Sequence, residues 1–266
     1  MAEIPAGSRY VALGSSFAAG PGIPARAPGS PRRAGRSASN YAHLVARELG
    51  LDLHDVTYSG ATTGDILRPS AAGQPAQLDA VTPATRLVTL TAGGNDVGYL
   101  PRLTLASLPW PLRALPRLRA QVDGFGDSAA TDERFAELGR NLQAISRGAA
   151  ERAPGCRVLF VDYLTILPPD GGDAGGPPPA AIAGWGRAIA ARLAATTREA
   201  ADASGAGYVA ASAASAGHHA WSAEPWTRRF HLSLRGGAPY HPNADGMAAV
   251  AGLVLTALSR SPGRAA

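Results

Sequence analysis

"YVALGSSFAAGPG", residues 10–22, decides how the rest of the chain is read. Tyr10 to Leu13 form a short apolar run ending at a glycine, which suits a strand buried on both faces. The chain then turns through Gly14-Ser15-Ser16 into small residues that can open a helix. The two hydroxyls at this turn allow two readings. Serine is a favoured helix cap and glycine suits a tight turn. Alternatively, one of the serines is a nucleophile presented where the strand ends.

Working outward, similar apolar runs recur: "DVTYS" at 55–59, "RLVTLTA" at 86–92, "RVLFVDY" at 157–163 and "GYVAA" at 207–211. Between them lie helical patterns at roughly 38–49, 133–152, 178–203 and 243–259. Short strands alternating with longer helices imply βαβ units and a parallel sheet covered on both faces. The expected fold is a three-layer, flavodoxin-like α/β domain, with any ligand beyond the carboxyl ends of the strands. Two segments break the alternation. Residues 101–122 are apolar but interrupted by proline, and the region 101–130 reads either as a short helical lid or as a long surface excursion. Residues 168–179, "PPDGGDAGGPPP", read as a flexible loop before a helix.

Composition narrows the function. The 266 residues, 45% hydrophobic, suit one domain with a full core, assigned here to residues 1–266. All 25 basic residues are arginine, so lysine Schiff-base chemistry and a phosphate-loop lysine are excluded. A net charge of +5, spread rather than clustered, and 6% aromatic content give no platform for nucleic acid. Cys156 is the single cysteine, so no intrachain disulfide forms. Met1 to Arg9 contain no apolar signal region, and no run is long enough to span a membrane. The expectation is a soluble, cytoplasmic protein.

The turns at the strand ends carry the chemistry. After the first strand comes Ser15-Ser16; after the second, "SGATTGDI" with Gly60; after the third, "GGND" with Asn95; and before the last helix, "APYHPNADGM" with His241. A parallel sheet brings these to one edge, where a hydroxyl, a glycine N–H, a side-chain amide and an imidazole are the parts of an acyl-transfer site. Each residue also has a structural reading: Ser16 as a cap, Gly60 as a turn glycine, Asn95 as a loop residue bonded to its own backbone, and His241 as a helix-cap neighbour with Pro242 at the first helical position. His218 and His219 are adjacent and match no metal-ligand spacing.

The ordered set GSS, SGATT, GGND and HPNADG, running from Tyr10 to about Leu258, resembles the SGNH hydrolases, also called the GDSL esterase/lipase family, and within it the actinobacterial branch of suberin-type esterases. The resemblance implies a central five-stranded parallel sheet and a serine hydrolase that cleaves carboxylic esters, of small or lipid-like substrates, through an acyl-enzyme without a cofactor. It makes Ser16 the nucleophile, His241 the base, and the N–H groups of Ser16 and Gly60 with the Asn95 side chain the oxyanion donors. An acyltransferase or tailoring enzyme would share this acyl-enzyme, and a non-catalytic binding protein would share the fold. A nucleotide or flavin protein would need a glycine-rich phosphate loop after the first strand, which is absent.

Two positions depart from the family pattern. Ser15 stands where the family has aspartate, and hydroxyl hydrogen bonds are expected to hold the loop instead. Ala238 stands three residues before His241, where the family has the third triad member. The resemblance therefore implies a Ser–His dyad, with a main-chain carbonyl, that of Ala238, orienting the imidazole. A carboxylate such as Glu224 on His241 Nδ1 would contradict this. Trp221 and Trp226 are expected either to line an acyl pocket or to be packed structure.

Overall fold

The strands are β1 (Arg9–Gly14), β2 (Asp52–Asp55), β3 (Thr85–Thr91), β4 (Arg157–Val161) and β5 (Gly207–Val209). They lie in the order β2-β1-β3-β4-β5, all parallel. The computed structural model describes residues 4–71, 73–124, 128–169, 178–232 and 238–260. Central β1 is buried along Tyr10–Leu13, and β3 along Leu87–Thr91. Both faces being covered explains why these strands read as continuous apolar runs rather than alternating ones. The second strand lies a few residues earlier than the expected 55–59. Its sequence, Asp-Leu-His-Asp, alternates exposed and half-buried positions because β2 is a sheet edge. The Asp55 carboxylate then accepts hydrogen bonds from the Thr57 N–H (3.0 Å) and hydroxyl (2.6 Å), turning the chain away.

The helices are α1 (Ser16–Ala19), α2 (Tyr41–Leu49), α3 (Thr63–Leu67), α4 (Tyr99–Ala106), α5 (Trp110–Arg113), α6 (Pro116–Gly124), α7 (Ser128–Arg152), α8 (Ala180–Ser204), α9 (Ala211–Ala214) and α10 (Ala244–Ser259). Helices α2 and α10 pack together on one side of the sheet; on the other, α7 packs on α8, α3 on α7 and α4 on α8. The result is the expected three-layer α/β fold. Tyr10, Tyr41 and Tyr240 are buried, and each phenol has a hydroxyl partner: Thr89 (2.8 Å), Thr91 (3.1 Å) and Ser107 (2.6 Å).

The end of β1 is fixed from three directions. Gly14 has φ +142°, and a Cβ there would collide with the Thr91 carbonyl oxygen, so only glycine fits. The Gly14 N–H donates to Gln77 Oε1 (2.8 Å), and Gln77 Nε2 donates back to the Gly14 carbonyl (3.0 Å). The Ser15 N–H donates to the Thr91 carbonyl (2.9 Å). The turn into α1 is therefore held rigidly above the sheet.

The proline-interrupted segment forms α4, α5 and α6, with Pro109 and Pro116 standing at the starts of α5 and α6, where a proline costs no helical hydrogen bond. Within the 101–130 region, residues 125–127 lie outside the described residues, as do 170–177 of the expected flexible loop.

Candidate active site

Ser15 occupies the N-cap position of α1, yet its side chain makes no capping bond. Its hydroxyl instead lies 3.2 Å from the Tyr163 hydroxyl, which accepts the Gly94 N–H at 2.9 Å. Because Tyr163 accepts from Gly94, its proton is free to go to Ser15. One phenol thus ties the turn after β1 to the turn after β3. Hydroxyl bonding at Ser15 was expected from sequence; Tyr163 as the partner was not. Its only signal was its place at the end of the fourth apolar run.

Ser16, the first residue of α1, points its hydroxyl at His241: Oγ and Nε2 are 2.7 Å apart, across 225 residues of chain. The other ring nitrogen, Nδ1, lies 2.8 Å from the Pro239 carbonyl oxygen. A carbonyl only accepts, so Nδ1 carries the proton and Nε2 is the acceptor for the Ser16 hydroxyl. The expected backbone orienter of His241 is therefore a carbonyl, but of Pro239 and not of Ala238. The physical reason is local: Tyr240 takes a left-handed φ of +64°, which turns the preceding peptide so that the nearer carbonyl faces the ring. The conformation is held by Tyr240 N–H to Arg228 carbonyl (3.1 Å) and Arg228 N–H to His241 carbonyl (2.9 Å). Glu224 is not on the ring; its carbonyl accepts from His218 Nδ1 (2.8 Å). Pro242 precedes the helix rather than opening it, because Asn243 is the N-cap of α10, accepting the Gly246 N–H at 2.8 Å.

Burial pushes the His241 pKa down to about 4; the Pro239 hydrogen bond opposes this, and the Arg228 charge adds to it. At neutral pH the imidazole is uncharged, the state a general base requires.

Gly60 and Asn95 reach the same place from β2 and β3. Gly60 has φ +85°, a conformation that favours glycine. Asn95 donates one side-chain N–H to the Ala61 carbonyl (2.9 Å), which joins the two turns and leaves a second N–H on an amide lining the cavity. Asp96 completes the joint: its carboxylate accepts the Thr63 N–H (3.0 Å) and hydroxyl, and Asn141 from α7 donates to that hydroxyl (3.0 Å). Asp96 thus braces its loop, while Asn141 carried no sequence signal.

Ser16, Gly60, Asn95, Ala238 and His241 all line one cavity of about 570 Å³, walled by Leu100, Pro101, Thr104 and Leu105 at α4. Trp221 and Trp226 are not part of that lining. Trp226 stacks on His218 at 4.0 Å, and Trp221 packs near Tyr240, so both are packed structure. Among the described residues no cluster of side chains is suited to a metal ion, and no helix is long and apolar enough to cross a membrane.

This chain matches the profile of the GDSL-like Lipase/Acylhydrolase family over residues 12–249. It is 37% identical to Lipase 2 of Streptomyces coelicolor over 245 residues, covering 89% of this chain and 81% of that one. The crystal structure of an extracellular lipase from Streptomyces rimosus superposes with a TM-score of 0.75 at 27% identity, covering 94% of this chain and 99% of that one. A phospholipase A1 from Streptomyces albidoflavus shares the fold at a TM-score of 0.76 and 24% identity, with the same coverage. A match over nearly the whole chain, on this fold, makes the protein a carboxylic ester hydrolase that belongs to the GDSL-like lipase/acylhydrolase family.

Proposed function

We propose that the protein hydrolyses carboxylic esters through an acyl-enzyme on Ser16, with His241 as the base of a Ser–His dyad. The observation that supports this reading is the 2.7 Å contact between Ser16 Oγ and His241 Nε2, with Nδ1 tied to a backbone carbonyl. In the first half-reaction Oγ attacks the ester carbonyl carbon while Nε2 takes the hydroxyl proton. The carbonyl oxygen becomes an oxyanion facing the N–H groups of Ser16 and Gly60 and the free N–H of Asn95. The imidazolium then gives its proton to the departing alcohol, leaving Ser16 acylated. A water molecule repeats the sequence: it loses a proton to His241, attacks the acyl carbon, and releases the acid with Ser16 restored.

A neutral carbonyl at Nδ1 fixes the tautomer but stabilises the imidazolium less than a carboxylate would. The dyad therefore relies more heavily on the oxyanion donors. The deciding experiment is hydrolysis of p-nitrophenyl esters by the wild type and by Ser16→Ala. Loss of about 10⁴-fold or more in kcat is expected, since the nucleophile is removed. A folded Ser16→Ala protein retaining wild-type rates overturns the assignment. Added alcohols that divert the product from acid to a new ester would favour the acyltransferase reading.

A further inference from the structure

A second cavity, of about 590 Å³, lies beside the first and shares two lining residues with it, Ser59 and Gly60. It runs along the outer edge of the sheet, between β2 and the helical turn Gln77–Ala80. Its size falls in the range of roughly 300–1,000 Å³ typical of pockets that bury a small ligand.

The polar groups around this cleft are largely engaged within the fold. Asp65 accepts the Thr62 N–H (2.8 Å) and hydroxyl (2.7 Å) in a capping box. Gln77 is committed to Gly14, and Asp79 pairs with Arg152 at 3.6 Å. The Arg36 guanidinium donates to the Thr57 carbonyl at 2.6 Å. His54 and Gln74 also line the cleft, with side chains that form no hydrogen bond among the described residues; the rest of what the walls offer is mainly Val56, Ala61, Pro75, Ala76, Ala80 and the ring of Tyr58. Such a lining favours an apolar occupant, because a polar one would leave its water partners without replacements.

The chemistry at Ser16 says which part of an ester arrives there. His241 hands its proton to the leaving oxygen, so the alcohol half lies on the His241 side, beside Ala238 and Pro239. The acyl half extends away from His241, and Gly60 is the residue where the two cavities meet. A Cβ placed on Gly60 would meet no atom within 4 Å, so the junction is open there.

We propose that this cleft is the subsite for an aliphatic acyl chain, which runs from the carbonyl carbon on Ser16, over Gly60, into the space between β2 and the Gln77–Ala80 turn. The assignment deepens the acyl-enzyme reading above and rests on it. Each methylene buried in the cleft raises kcat/KM by about three- to fourfold until the cleft is full.

The test compares p-nitrophenyl acetate, octanoate and decanoate in the wild type, Ala76→Phe and Val56→Phe, which narrow the cleft from opposite walls. The expected result is a wild-type kcat/KM that rises with chain length, and a decanoate-to-acetate ratio at least about tenfold lower in either variant. A ratio unmoved in both folded variants overturns the proposal. Binding of decanoate to Ser16→Ala, followed by NMR or calorimetry, separates the two readings and serves if a variant fails to fold. Absence of ester hydrolysis in the wild type would count against Ser16, whereas the cleft stands if decanoate binds and shifts resonances of Ala76 and Ala80. If decanoate does not bind, or shifts only residues around Leu100 and Leu105, the cleft is not the acyl subsite.

Discussion

The proposed mechanism makes His241 the base, and its surroundings suit it to that role. Burial and the Arg228 charge hold its pKa near 4, and the Pro239 carbonyl keeps Nε2 free for Ser16. The rate should therefore depend on a group that stays neutral well below the ordinary histidine range of about 6.5. Initial rates after brief exposure to acid should show kcat/KM falling only as the pH drops through about 4. Arg228→Gln removes a positive neighbour, so protonation becomes easier and the acidic limb moves to higher pH. A limb that does not move would mean that burial alone sets it. At Asn95 the expectation is different in kind. One N–H is spent on Ala61, so the other is the only one left to meet a developing oxyanion. Asn95→Ala should lower kcat by about 10²–10³ with KM little changed, because the contact strengthens only in the transition state. Steady-state kinetics that put the loss in KM instead would remove Asn95 from the oxyanion site.

The strand-end turns that carry the candidate site are bonded to each other. Tyr163 joins the β1 turn to the β3 turn, and Asp96 with Asn95 joins the β3 turn to the β2 turn. Tyr163→Phe would leave the buried Gly94 N–H and the Ser15 hydroxyl without this partner, costing about 1–3 kcal/mol. Calorimetry should then record a melting temperature several degrees lower. If the tether also positions the nucleophile against the oxyanion donors, kcat should fall by about tenfold while KM holds; an unchanged kcat would make Tyr163 purely structural. These same elements show what sequence could reveal. Strands β1, β3 and β4 were legible because burial on both faces leaves an apolar run. The edge strand β2 was displaced in the reading because its exposed Asp52 and His54 look like loop residues. That Ser16, Gly60, Asn95 and His241 would come to line one cavity was legible because each sits in a local motif at a chain reversal. Tyr163, Asn141 and Gln77 were not, since their roles come from contacts 60 or more residues away in sequence. The choice of Pro239 over Ala238 turned on a single left-handed residue, which spacing cannot register.

For the whole molecule, an uncharged buried base implies a characteristic response to acid. In the unfolded chain His241 takes a proton near pH 6.5, but in the folded protein only near pH 4. Between those values the unfolded chain binds more protons, so the stability present above about pH 6.5 is lost as the pH falls. Burial likewise lowers the pKa of His43, which adds in the same direction, with the nearby Asp55 charge opposing it. Asp96 and Asp162 act the other way. Burial raises both carboxyls above their ordinary value, against the hydrogen bonds from Thr63 and from Ser212 and Tyr208. Their folded forms bind protons first, so acidification through that range returns some stability. The two effects oppose each other, so the His241 contribution between pH 7 and pH 5 is read against a variant that lacks the imidazole. His241 alone contributes about 2 kcal/mol over that interval, or a fall of several degrees in melting temperature. Thermal unfolding of the wild type and His241→Gln at both pH values checks it. The wild type should lose clearly more stability than the variant; equal losses would place the acid sensitivity elsewhere and show that His241 is not held neutral by burial.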